Sequence, residues 1–445
     1  MGERSAWEIQ FDGVEAGVVP PGLKPAICRV TSQLCAERCG GRLRAIVLTG
    51  SLARGEATFV NQGGRWRLLG DAEFLLVFKE DNVLPPTPSI SGLEREIERH
   101  LLQGGLSGHV ELSPVHTRYL RTMPPEIFAF ELRTYGQVVW GERQILRLIP
   151  AFSASAIPLE DGWGMLCNRV VEFLEVIDLA VEKPVDPSPD GRYRMIKLYL
   201  DMATSYLLFQ GAYAPTYRER ADRLRGLVRS REVEGREVEG CRCPFPLRDF
   251  AERVVYCTKL KLQAGRGVDA YSGENGFESM FAWEVLVAYA KELWRWEMEQ
   301  LLSERSAPWQ FKARRRELAM VSDHELMRRW MQLQPVHERL RGWASALRRC
   351  GWRRSWQHWP HWVKLGWRGS PRYWVYAAAC ELFFRLPGIV NGDRSSPEVD
   401  SELQRIRSWL PVPGDLPGIG GNLGWRDVAS AIAWNYQKFL KGTRA

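Results

Sequence analysis

Residues 48–78 read LTGSLARGEATFVNQGGRWRLLGDAEFLLVF. The stretch opens on Gly50-Ser51, which closes the apolar run AIVLTG (45–50), and ends in a second apolar run, DAEFLLVF (71–78), that holds Asp71 and Glu73. A carboxylate in such a run is costly to bury without a partner. Residues i and i+2 of a strand share a face, so Asp71 and Glu73 project together while Ala72, Phe74 and Leu76 point the other way. Two adjacent carboxylates repel unless a cation lies between them or one takes a proton. Mg²⁺ suits the first case, because it binds through one or two carboxylates plus substrate phosphates. A third acid, Glu111, lies between Val110 and Leu112 in GHVELSPV (108–115). An acid trio on neighbouring strands is what a two-metal phosphoryl-transfer site needs, its ions sharing ligands about 3.5–4 Å apart. Gly50-Ser51 fits as a turn whose backbone N–H groups face phosphate oxygens, glycine permitting the close approach.

Outward from this stretch, 22–39 reads as a helix and 92–102 as an amphipathic helix. Residues 124–136 run from Pro to Gly as helices often do, and QVVWG (137–141) reads as a short strand. Strands alternating with helices predict an α/β domain around a small mixed sheet over 1–150. From about 160 the strand signals fade. Helices are expected at 162–182, 192–211 and 280–302, through 310–385, and at about 425–440. The expected fold class is therefore α+β: the sheet domain, a helical bundle over 151–305, and a basic, Trp-rich helical region over 306–445. The tandem REVEG copies at 231–240 are read as part of a charged loop, 229–247.

The combination Gly50-Ser51, then Asp71-Ala72-Glu73, then Glu111 resembles the signature of the polymerase-β-like nucleotidyltransferase superfamily. The order of elements over 24–141 is similar too, and a weaker likeness extends over 160–220, where many members carry a helical bundle. The resemblance implies transfer of a nucleoside monophosphate from an NTP, ATP by default, to an acceptor hydroxyl, with release of pyrophosphate. It implies that Asp71, Glu73 and Glu111 are catalytic and hold two Mg²⁺ (or Mn²⁺) ions, Glu111 helping to deprotonate the acceptor. It implies that Gly50 and Ser51 hold the triphosphate. Lys197, in an otherwise apolar helix with Asp201 at i+4, matches a lysine that reaches the triphosphate in members, and Arg54 is a further nucleotide-binding candidate. The acceptor is open among a small aminoglycoside-like molecule, a protein side chain and an RNA 3′ end. The 19 residues between Ser51 and Asp71 exceed the family's usual spacer. Gly63-Gly64 predicts a hairpin that absorbs the excess, and Arg65 and Arg67 fall within it. For His109, Asn168 and Arg169, structural roles are the default.

The rest of the composition is permissive. The chain has 445 residues, a net charge of +8, nine cysteines without a paired framework, and no apolar run long enough to span a bilayer. The charge favours polyanionic partners, and the thiols are expected to be free in a reducing cytoplasm. Cys241 and Cys243 form a lone CxC with no second pair to complete a metal site. Between Arg341 and Trp374 lie seven Trp, eight Arg or Lys and no acid. That pattern suits single-stranded nucleic acid, an interfacial helix on anionic lipid, or a core whose Trp pack inward under Arg stems. Two other readings of the whole chain therefore stand beside the enzyme: a catalytically silent binding protein of the same fold, and a nucleic-acid-binding factor acting through 341–374.

Overall fold

The computed structural model describes residues 20–177, 189–234, 243–262, 282–304, 317–318, 320–350, 352–392, 397–413 and 424–440. The architecture is mixed α+β. Five strands, β1 (Leu43–Leu48), β2 (Thr58–Gln62), β3 (Arg65–Phe78), β4 (Leu106–His116) and β5 (Gln137–Gly141), form one sheet. β3 is its axis, antiparallel to β1 and β2 and parallel to β4, while β5 lies antiparallel to β1. The expected hairpin is β2–β3, closed where the Gly64 N–H donates to Asn61 Oδ1 (3.0 Å). The second strand therefore begins at Arg65, six residues before Asp71, because the hairpin extends it.

The two-residue period of β3 sorts its side chains between two cores. Ala72, Phe74, Leu76 and Phe78 pack with Ile27 and Leu34 of α1 (Leu23–Cys39) and with Leu93 and Ile97 of α3 (Thr87–Gln103). Leu75 and Val77 pack on the opposite face with Ala45, Val47 and Leu132, the last from α5 (Ile127–Tyr135). Helix α5 starts at Ile127 rather than 124, after Pro124-Pro125 and the extended Glu126. Edge strand β4 is covered by α3: Glu98 Oε1 accepts from the Val110 N–H (3.1 Å) and Glu94 Oε1 from the Leu112 N–H (2.9 Å). Two short helices, α2 (Gly50–Arg54) and α4 (Thr117–Arg121), complete this half.

The helical half contains α6 (Leu159–Leu174), α7 (Pro189–Phe209), α8 (Tyr217–Glu234), α9 (Leu247–Leu262) and α10 (Trp283–Glu304). It continues through α11 (Asp323–Leu333), α12 (Val336–Cys350), α13 (Trp352–Gly366), α14 (Pro371–Asn391), α15 (Pro397–Arg407) and α16 (Trp425–Phe439). Trp163 packs on Trp330, Tyr373 and Tyr376, and Phe173 packs on Phe383. Helices from both sides of residue 305 thus share one core, so the expected boundary there does not divide two cores. Val60 and Leu69 of the β2–β3 hairpin belong to the same core. Helix α8 runs to Glu234, so the first REVEG copy begins in a helix rather than in the expected loop; the second copy and Cys241 lie outside the described residues.

Glu297 of α10 is fully buried, and no hydrogen bond of good geometry reaches either carboxyl oxygen. Burial pushes its carboxyl up to about 8, opposed only by nearby Ser205. The folded chain holds this proton more tightly than the unfolded chain does. The group's contribution to stability is therefore lost as pH rises from the ordinary glutamate range through about 8. Glu297→Gln is expected to raise stability at pH 7 by on the order of 2–3 kcal/mol, since each pH unit is worth about 1.4 kcal/mol. Urea midpoints at pH 5 and pH 8 check this. The variant should gain at pH 8 and scarcely change at pH 5, and equal effects at both would refute the titration.

Candidate active site

The acids meet where β3 passes from the β2 hairpin into the body of the sheet. In the parallel β3–β4 ladder Asp71 is opposite His109 and Glu73 opposite Glu111. Parallel partners point to the same side of the sheet, and adjacent strands are about 4.8 Å apart. Asp71, Glu73 and Glu111 are accordingly one group on the face that carries Leu75 and Val77 further along. The ladder is irregular between Arg67 and Asp71, where β3 advances four residues against two of β4. Such bulges re-aim side chains at sheet rims, and this one immediately precedes the acid pair.

The Gly-Ser segment is held against these acids. The Thr49 N–H donates to the Glu73 carbonyl (2.9 Å), and Gly50 follows with φ +67°. A Cβ at Gly50 would lie 3.0 Å from Glu73 Oε2. Only glycine serves there, on backbone and spatial grounds together. The segment continues as α2, whose Ala53 carbonyl accepts from Gln137 Nε2 (2.6 Å) and Lys24 Nζ (3.3 Å). Gly50→Ala is expected to cost roughly 1–2 kcal/mol through left-handed backbone strain alone, and more if the Glu73 carboxylate cannot give way. Chemical denaturation measures it, and an unchanged midpoint would mean that the turn is looser than described.

The helical half supplies a wall. Gly70 (φ +105°) has no room for a Cβ, which would lie 2.6 Å from the Tyr193 hydroxyl on α7. Lys261 of α9, fully buried, donates from Nζ to Tyr193 Oη (3.0 Å) and to Thr58 Oγ1 (3.0 Å). Burial, then the neighbouring Lys197, push its ammonium well below the ordinary lysine value. Lys197 Nζ lies 5.8 Å from the Tyr193 ring centroid. Burial and then Arg169 lower its pKa, while Glu172, Asp201 and Asp71 act against the shift. The expected pairing of Lys197 with Asp201 is replaced: Asp201 accepts from Arg169 Nε (2.5 Å), which reaches it from α6. Tyr193 and Lys261 escaped sequence reasoning because nothing in RYRM (192–195) or TKLKL (258–262) distinguishes the inward tyrosine or lysine from its neighbours.

Arg54, Arg67, His109 and Asn168 have internal partners. Arg54 is buried and pairs with Glu56 (3.2 Å) and Glu131. Glu131 also accepts from Arg220 Nη2 (2.5 Å) and the Tyr213 hydroxyl (2.8 Å), and Glu56 from the Tyr217 N–H (2.8 Å). Arg54 is thus part of an ionic joint between α2, α5 and α8. Arg67 pairs with Asp190 (3.0 Å), Arg65 is exposed, and His109 pairs with Glu98 (2.8 Å). Asn168 Oδ1 accepts from the Tyr376 hydroxyl (2.7 Å). Among the described residues no three His, Cys, Asp or Glu side chains enclose a metal position by themselves. The hard oxygen donors of Asp71, Glu73 and Glu111 nonetheless have the chemistry that Mg²⁺ takes when phosphates and water complete its shell.

No protein-family model matches the chain, and no curated protein matches it. Among solved structures it is similar to the spectinomycin adenyltransferase AAD(9) from Enterococcus faecialis, determined with ATP and spectinomycin. The likeness has 12% identity and a TM-score of 0.36, over 60% of this chain and 98% of that one. At that TM-score it assigns no activity here.

Proposed function

We propose that the protein is a Mg²⁺-dependent nucleotidyltransferase that moves a nucleoside monophosphate from an NTP, ATP by default, to an acceptor hydroxyl. The reading is carried by one observation: Glu73 lies opposite Glu111 and beside Asp71, with the Gly50 backbone against its carboxylate. Asp71 and Glu73 hold the metal ions, with Glu111 completing the set. Held there, Mg²⁺ would supply neutralisation of charge on the phosphates and a lower pKa for the attacking oxygen. Glu111, opposite Glu73, receives the acceptor's proton. Gly50 and Ser51 hold the triphosphate through the turn, and Lys197 offers it a cation from the helical wall. Incubation with each labelled NTP, Mg²⁺ and cell extract tests the reading. Label should pass to an acceptor and pyrophosphate should appear, and chelator should abolish both. Nucleotide binding without any transfer would favour the silent binding protein.

A further inference from the structure

The described Trp side chains of the Trp-rich segment fall into two sets. Trp343, Trp362 and Trp374 are buried, and their indole N–H groups donate to the carbonyls of Gly369 (2.9 Å), Pro411 (2.7 Å) and Leu365 (3.1 Å). These three are core. Trp359, Val363 and Trp367 are 48%, 57% and 85% exposed. Their spacing of i, i+4 and i+8 sets them along one side of α13 and its end, over about 12 Å. Val336 and Leu340 of α12, 60% and 65% exposed, flank Arg339, which donates from Nη1 to the Trp367 carbonyl (2.6 Å). Lys364 and Arg368, both exposed, alternate with the apolar stripe, and no acid occurs between Arg341 and Trp374.

Charge and side-chain type select the occupant. A second copy of the chain would bring Lys364 and Arg368 of two chains together, with no acid on either α13 helix to offset them. Single-stranded nucleic acid needs successive aromatic platforms, but among the described side chains three of the rings are buried and the aliphatic Val363 lies between Trp359 and Trp367. Indoles with aliphatic side chains between them, bordered by Lys and Arg, match the interface of an anionic bilayer. Among the described residues no helix is long and apolar enough to cross a membrane, so contact through this face is peripheral. We infer that α13 docks the protein on an anionic lipid surface. Trp359, Val363 and Trp367 enter the boundary between headgroups and acyl chains, and Lys364 and Arg368 pair with lipid phosphates. The inference is independent of the nucleotidyltransferase reading.

Co-sedimentation of the full chain with vesicles tests it. The protein should sediment with mixed phosphatidylglycerol–phosphatidylcholine vesicles and not with phosphatidylcholine alone, its Trp emission shifting to the blue. Trp359→Ser with Trp367→Ser should weaken binding by ~10-fold or more, through loss of the inserted apolar area. Its melting temperature should be retained, since both rings are exposed. Lys364→Glu with Arg368→Glu should remove the preference for anionic lipid. No binding to anionic vesicles, or unchanged binding by the Trp double variant, would overturn the inference. So would oligouridine binding at low salt that the same variant loses while vesicles are ignored, which would assign the face to nucleic acid.

Discussion

Asp71→Asn is expected to leave the fold intact and to lower nucleotidyl transfer by ~100–1000-fold, the scale of losing one preorganised electrostatic contact in a transition state. Asparagine keeps the shape of aspartate and removes its charge. In the metal-free protein that change relieves repulsion with Glu73, its neighbour on the same face of β3. It also removes a carboxylate that favours the charged form of Lys197. The two effects oppose each other at a partly exposed position, so the melting temperature should stay level or rise slightly. Stability kept while activity falls is the mark of a residue retained for chemistry. A structural acid would behave in the opposite way, its loss leaving a buried partner unsatisfied. Melting without metal and transfer with Mg²⁺ are the two measurements. A variant that melts several degrees lower and still transfers normally would remove Asp71 from the chemistry and return it to the fold.

The second large effect belongs to stability. Glu131 accepts from Arg54, Arg220 and Tyr213 in a place with little water, and Arg220 is only 3% exposed. Glu131→Gln keeps the volume but removes the charge and one of the two acceptor oxygens, so Arg54 keeps only Glu56 as an ionic partner and Arg220 keeps none. Breaking a buried pair from one side costs ~3–5 kcal/mol, because the surviving charge stays desolvated. The loss should appear in urea denaturation and should differ little between low and high salt, since buried charges are poorly screened. A loss below about 1 kcal/mol, the range of an exposed pair, would mean that water enters the joint.

How far the sequence disclosed this arrangement follows from which signals are local. The strand period placed Asp71 and Glu73 on one face, and the Gly63-Gly64 turn announced the hairpin that lengthens the spacer. The pairing of Glu73 with Glu111 required the β3–β4 register; Gly70 in RWRLLGD marks an irregular strand but not which residue of β4 comes opposite Glu73. Arg54 looked free for phosphate because its partner Glu131 is 77 residues away in sequence. Lys197 and Asp201 looked paired by their spacing on one helix, but Arg169, from α6, takes the aspartate. Local patterns say which face a side chain occupies. They do not say which other helix arrives at that face.

Strand β3 contributes Leu69 to the helical core and its C-terminal residues, from Phe74 on, to the two cores of the sheet, and the acid pair lies between. The sheet half and the helical half are therefore not interchangeable modules joined by a tether. A recombination event that exchanged the helices would expose the hairpin side of β3 and remove Tyr193 from Gly70. A donor sheet would likewise arrive without the Thr58 that Lys261 contacts. Descent should thus carry the two halves together, with change accumulating in helices that leave this shared strand untouched.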